Sequence, residues 1–214
     1  MISIHLPLKL SVIRVTGTRV TREDGPYRAL NALAARCREQ HGEQPISEFP
    51  GVQAARQLFR SIGIEPTNHR PSSEALLRRA LKDKGFHQVN SAVDVINWCS
   101  LDFMLPICAY DLGKIAGDIV LREGRPGEAY EGLNHRMVNL EGRYALLDAE
   151  GPFGSPITDS RRTAISEEST DLLCLILAPS DFDPERLAAF GQTLGERLCE
   201  GQGQFEATVV ASSE

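Results

Sequence analysis

The sequence has no Gly-x-x-x-x-Gly-Lys-Ser/Thr loop, and no Gly-x-Gly-x-x-Gly follows a strand-like segment, so nucleotide binding through either phosphate cradle has no support. There is no Cys-x-x-Cys pair. The cysteines Cys37, Cys99, Cys108, Cys174 and Cys199 are scattered and odd in number, which argues against a zinc ribbon or dithiol centre and for free thiols in a reducing compartment. His5, His41, His69, His87 and His135 stand alone, none of them in a His-x-x-x-His arrangement, and Ser155 in "FGSPI" lacks the glycines of a nucleophile elbow. Neither a metal nor a cofactor is expected. The longest apolar run, residues 172–178, is far too short to cross a bilayer. The opening "MISIHLPLKLSVIRV" lacks the basic start, apolar run and cleavage site of a secretory signal, so a cytoplasmic protein with no membrane partner is expected. A formal net charge of -6 gives no general attraction to nucleic acid, and any such contact must be local.

What is present is an ordinary globular composition, 42% hydrophobic and 24% charged, with no repeat, low-complexity block or linker dividing it. Residues 8–20 alternate like a strand. From Tyr27 the period changes, and Leu30, Leu33, Ala34 and Cys37 recur at helical spacing until "HGEQP". Val52, Ala55, Leu58 and Phe59 form a second helical stripe. "PSSEALLRRALKDKG" (71–85) predicts a helix capped by Ser72, with Glu74 at the positive end of its dipole, Lys82 and Lys84 at the negative end and Gly85 as a left-handed exit. Short β-type segments follow at 106–112, 117–123, 143–149 and 171–178, then a helix from 183 with proline in its first turn and a last strand at 205–210. Helices dominate the first half and strands the second, which predicts an α+β fold in one domain spanning 1–214.

Two features point towards function. Between residues 56 and 84, Arg56, Arg60, Arg70, Arg78, Arg79, Lys82 and Lys84 outnumber Glu65, Glu74 and Asp83, a polarity that would guide an RNA backbone or merely solvate an amphipathic helix. "NSAVDVINWCSL" (90–101) reads as an apolar helix, yet it carries Asp94 and Asn97 on one face. Ser91 and Asp94 suit a capping box, whereas Asn97 lies beyond what capping requires and needs a partner or a cavity.

Together with the segments C-terminal to it, this stretch resembles the B3/B4 domain of the phenylalanyl-tRNA synthetase beta subunit. The resemblance rests on Val93, Asp94 and Asn97; then Pro106, Ala109, Tyr110, Asp111 and Leu112; then Lys114, Gly117, Arg122, Gly127, Glu128 and Asp148, in that order and spacing, within a core of about residues 60–178. It implies a mixed, barrel-like β-sheet core with flanking helices, in a stand-alone relative without the ligase modules. It further implies a possible trans-editing hydrolase of mischarged aminoacyl-tRNA, an ester hydrolysis that needs orientation and polar preorganisation but no covalent nucleophile. The alternatives are a non-catalytic module binding an amino acid, an aminoacyl-adenosine or an RNA end, and an interaction subunit for a synthetase. Candidate substrate-binding residues are Arg70, Asp94, Asn97, Cys108, Tyr110, Asp111 and Arg122, each with a competing structural role in packing or ion pairing. Cys108 stands where the synthetase has a histidine. The synthetase's later glutamate has no clear counterpart, Asp159 and Glu167 being the nearest acids.

Overall fold

The computed structural model describes residues 1–42, 44–155 and 158–212. The strands are β1 (Ile2–Ile4), β2 (Leu8–Thr16), β3 (Ile107–Asp111), β4 (Ile119–Glu123), β5 (Ala129–Glu131), β6 (Met137–Asn139), β7 (Tyr144–Asp148), β8 (Gly151–Gly154), β9 (Leu172–Pro179) and β10 (Gln204–Ala211). The helices are α1 (Gly25–His41), α2 (Val52–Ser61), α3 (Ser72–Leu81), α4 (Ser91–Phe103) and α5 (Pro184–Leu198). One sheet has the order β10-β2-β9-β3 and a second the order β1-β4-β7-β8, with β5 and β6 forming a separate ribbon. The fold is therefore α+β with flanking helices. Among the described residues the strands make two open sheets and a ribbon instead of one closed barrel.

Strand alternation sorts the core into layers. Leu8, Leu10 and Val12 of β2, Cys108 and Tyr110 of β3, and Leu173, Leu175 and Leu177 of β9 face the second sheet, where they meet Leu121, Tyr144, Leu146 and Phe153, with Leu58 and Phe59 of α2 closing one end. The intervening residues, Ile13, Val15, Ile107, Cys174 and Ile176, face the opposite way onto Val95, Ile96 and Cys99 of α4 and Leu187 and Leu194 of α5. Continuous burial of β9 on both faces explains why "LLCLILAP" shows no polar alternation. Helices α1 and α3 pack with α4 in a third cluster.

At one edge the two sheets are stitched by the segment after β8. The Ser160 amide donates to the Phe153 carbonyl at 3.2 Å, the Asp111 amide donates to the Thr163 carbonyl at 2.9 Å, and Gly154 and Asp159 form an isolated bridge. This stitching ties β8 to β3 without strand pairing. It also brings residues 158–163 over the ends of both sheets.

Two helix starts differ from expectation. On α4 the capping residue is Asn90, whose side chain accepts from the Val93 amide at 2.9 Å; Ser91 Oγ accepts from Thr21 N instead, and Asp94 Oδ1 accepts from Val89 N at 3.2 Å. The helix begins one residue earlier than the Ser91 capping box requires, because Asn90 takes the extended conformation. On α3 the capping position falls to Pro71 and Ser72 makes no capping bond. Glu74 does lie in the first turn, but its carboxylate is drawn into the core, accepting from Arg56 at 2.7 and 2.8 Å and from Arg78 at 2.9 Å. α3 also stops at Leu81, so the left-handed Gly85 lies beyond its exit.

Candidate functional site

The candidate residues named from the sequence do not converge on one place. α4 packs on the outer face of the β10-β2-β9-β3 sheet, so Asp94 and Asn97 are separated by that sheet from Cys108 and Tyr110, which point to its inner face. Asp94 is fully buried. Burial, opposed by the Val89 amide, raises its carboxyl above the usual range. Asn97 is half-buried and lines neither of two surface cavities of about 280 Å³ each. Arg70 is exposed ahead of α3, with no ion pair or side-chain hydrogen bond among the described residues.

Asp111 and Arg122 are held in local networks. Asp111 Oδ2 accepts from Ser169 Oγ at 2.6 Å and pairs with Lys114 Nζ at 3.0 Å, while Oδ1 accepts from the Gly113 amide at 3.1 Å. These partners outweigh burial and lower its carboxyl. Arg122 forms a bidentate pair with Glu128, 2.9 and 2.7 Å, and this pair with the Arg125 amide pulls Glu128 down to about 2. Asp148 is likewise clamped by both Arg162 nitrogens and by the amides of Ala116 and Glu150. Each of these geometries ties a strand end to a neighbouring turn.

Cys108 and Tyr110 belong to a different kind of neighbourhood. Two positions apart on β3, they point between the sheets, where Tyr130, Tyr144, Ser155 and Asp159 act on the same groups. Tyr110 and Tyr144 are 0% and 1% exposed, yet neither hydroxyl makes a hydrogen bond of normal geometry. The Tyr110 ring stands edge-on to Phe153 at 4.9 Å between centroids. Its hydroxyl end lies so close to Gly154 that a Cβ there would sit 2.1 Å from Oη. The Tyr130 hydroxyl is committed, lying 2.5 Å from the Thr158 carbonyl and 2.9 Å from Ser155 Oγ. Asp159 is half-buried by surface exposure of the whole residue, with its carboxyl beside the Tyr110 hydroxyl. Burial pushes that carboxyl up to about 7, opposed only by Tyr110. Burial also drives the Cys108 thiol well above its ordinary value, so it stays protonated and is a poor nucleophile.

Sequence reasoning placed Cys108 and Tyr110 among the candidates and named Asp159, with Glu167, only as an acid near the place of the synthetase's glutamate; it did not single out Tyr130 or Tyr144. Tyr144 opens the "YALLD" strand, so its parity with the inward face was the available signal; Tyr130 lies on a three-residue strand with no local signature. Unpaired phenols cost free energy in a core, roughly 1–3 kcal/mol for each unsatisfied group. Tyr110 beside the Asp159 carboxyl, with Tyr144 near Cys108 and Tyr130, makes a polar neighbourhood under the sheet edge.

An α+β domain with two facing sheets and a polar niche at their stitched edge is the class that fold and geometry define. The chain belongs to the B3/4 domain family, whose model matches residues 54–195. Over part of its length it is similar to phenylalanine–tRNA ligase beta subunits. It is 28% identical over 148 residues to that of Chromobacterium violaceum, covering 67% of this chain and 18% of the relative. It is 32% identical over 135 residues to that of Paramagnetospirillum magneticum, covering 60% and 16%. An N-terminal fragment of the phenylalanyl-tRNA synthetase beta subunit from Pyrococcus horikoshii aligns with 99% of this chain and 55% of its own, at 12% identity and a TM-score of 0.45. The chain thus spans less than a fifth of these two ligase subunits.

Proposed function

We propose that the protein, as a single B3/4-like domain over residues 1–214, acts in trans on aminoacyl-tRNA and hydrolyses the ester of mischarged tRNA. The observation that carries this reading is the niche of Cys108, Tyr110, Tyr144 and Asp159, in a domain whose relatives belong to aminoacyl-tRNA ligases. An aminoacyl ester is already activated, so the chemistry asks for orientation and donors aimed at the developing oxyanion. The Tyr144 hydroxyl, buried without a partner, suits that task, and the Tyr110 hydroxyl faces the Asp159 carboxyl. The Cys108 thiol takes no covalent part, which is consistent with attack by water. RNA would be steered by Arg60, Arg70, Lys82 and Lys84, since Arg56 and Arg78 are engaged by Glu74 and Arg79 is spent on the Lys84 and Gly85 carbonyls. The test is loss of label from a panel of mischarged tRNAs on addition of purified protein. Hydrolysis of one or more above the buffer rate supports the reading, and none above that rate overturns it.

A second reading, a non-catalytic module that binds an amino acid, an aminoacyl-adenosine or an RNA end, is favoured by one observation. Cys108 occupies the place of the histidine in the family it resembles, and its buried protonated thiol is a weak donor. This reading expects thermal stabilisation by aminoacyl-adenosine esters without their hydrolysis.

A further inference from the structure

The two four-stranded sheets have four edges, and three of them are closed or short. β1 is three residues long, β8 carries a proline and is bridged to Asp159, and β3 donates from the Asp111 amide to the Thr163 carbonyl. The fourth edge is β10, eight residues in unbroken register with β2, and among the described residues no strand pairs with its other side. It has none of the usual guards of an open edge: no proline, lysine, arginine or bulge, and a single charge, Glu206, directly across from Arg14. The ladder shows which groups are open. The Leu177 amide donates to the Pro106 carbonyl, so the odd-numbered residues of β9 bond to β3 and the even-numbered ones to β2. By register, the odd residues of β2 then bond to β9 and its even residues to the even residues of β10. Phe205, Ala207 and Val209 are left with their N–H and C=O groups turned outward.

A helix stands beside that edge, since α5 rests on both β2 and β10. Gly195 lies over the Phe205 ring, where a Cβ would come within 2.1 Å of it, so the helix flank of Ala188, Gln192, Gly195 and Cys199 overlooks β10. This flank carries no charge, and its Ala188 and Gln192 are exposed. The opposite flank is taken by α4, through Phe190 on Phe103 and Arg197 on Asp102. A bare peptide added to β10 would leave the uncharged flank open, whereas a second copy of the chain would cover edge and flank together. We infer that two copies pair antiparallel through β10, about a two-fold axis at Ala207, into one continuous eight-stranded sheet. In that register Ala207 faces its counterpart, Phe205 faces Val209 of the other copy and Glu206 faces its Thr208. An aromatic then meets a β-branched side chain, and no like charges stand directly opposite. The outward N–H and C=O groups of Phe205, Ala207 and Val209 meet those of the same three residues. Strands lie about 4.8 Å apart, so two helices that each straddle β2 and β10 come to about 10 Å, the spacing of packed helices. Gly191 sits on Ala207, which puts the neighbouring Gln192 beside the axis.

Light scattering on the full chain at about 100 µM should give the mass of two chains, falling to that of one on dilution. Hydrogen exchange on the wild-type protein then reads the interface residue by residue. The amides of Phe205, Ala207 and Val209 should exchange at least about tenfold more slowly in concentrated than in dilute protein, while those of Glu206, Thr208 and Val210, bonded to β2 in either state, change less. Two variants separate the edge from the helix. Val209→Pro removes an outward N–H and no bond to β2, so it should fold and remain a monomer. Gln192→Glu, at an exposed position, sets two carboxylates beside the axis and should weaken the dimer at least about tenfold at low salt, with recovery at high salt. A single-chain mass at about 100 µM, a dimer whose Phe205, Ala207 and Val209 amides exchange as fast as in dilute protein, or a dimer unaffected by Gln192→Glu overturns the inference. Should Val209→Pro fail to fold, the wild-type exchange and Gln192→Glu decide alone.

Discussion

Gly154→Ala is the substitution whose consequence follows most directly from the coordinates. A Cβ at this position would lie 2.1 Å from Tyr110 Oη, 2.6 Å from Cζ and 2.8 Å from Cε1, all below any tolerable contact. The Tyr110 ring has nowhere to go, since it is 0% exposed, fixed on a paired strand and held edge-on by Phe153. Overpacking of a closed core costs about 1–3 kcal/mol, and the rigidity of this ring places the cost at the upper end, about 3 kcal/mol. For a chain of 214 residues this corresponds to a fall in melting temperature of roughly 6–12 °C. Tyr110→Phe removes the atom that clashes most. Because that hydroxyl makes no hydrogen bond of good geometry, the single change should cost no more than about 1 kcal/mol. In the double variant the cost of Gly154→Ala should fall, a non-additivity of about 1 kcal/mol that calorimetry or urea denaturation of the four proteins would resolve. A Gly154→Ala melting temperature within about 2 °C of wild type, or strict additivity in the double variant, would refute the close approach on which the niche geometry depends.

Other outcomes follow from the ionic contacts. Glu74→Gln leaves Arg56 and Arg78 facing an uncharged amide in the core and should cost about 3 kcal/mol by urea denaturation at pH 7. The folded-state value of Glu74 is lowered below 4.5, so its contribution is complete above that pH and lost as pH falls; the gap between variant and wild type should narrow in acid. Asp159 has the opposite sign. Its folded value of about 7 exceeds 3.8, so its ionisation penalises folding increasingly as pH rises from about 3.8 to about 7, and Asp159→Asn should be more stable than wild type at pH 8 but equal to it near pH 3. The single-domain reading expects one cooperative thermal transition in which the calorimetric and van't Hoff enthalpies agree.

Much of the fold was legible because its elements announce themselves locally. The stripe of Leu30, Leu33, Ala34 and Cys37 and that of Val52, Ala55, Leu58 and Phe59 are the buried faces of α1 and α2, and the β-type segments at 106–112, 117–123, 143–149 and 171–178 contain β3, β4, β7 and most of β9. What escaped detection depends on distant partners. β1 is three residues long and exists because it pairs in parallel with Ile119–Leu121, and β8 is a glycine- and proline-bearing strand held by β7. The capping of α4 was misplaced by one residue because Asn, Ser and Asp all serve as caps and only tertiary contacts choose among them. Ser91 is drawn away to the Thr21 amide. The basic stretch read from composition is weaker than its count suggests, since one buried glutamate consumes two of its arginines.

The site was only half legible for a similar reason. Asp94 and Asn97 share a helix face with a functional look, but that helix covers the outer side of a sheet whose inner side bears Cys108 and Tyr110. Asp159 lies more than forty residues from Tyr110 in sequence, and only the stitching of residues 158–163 across β8 and β3 brings it there. No spacing rule encodes that contact.

The central claim is that an aminoacyl ester is bound at the edge where residues 158–163 cross the two sheets, and chemical-shift mapping tests it most directly. Titrating isotope-labelled protein with phenylalanine methyl ester should perturb Cys108, Tyr110, Tyr144 and Asp159 while leaving Asn97 and the cavity at Thr18, Arg19 and Arg197 unmoved. Perturbations confined to that cavity, or to the face of α4 that carries Asn97, would contradict it.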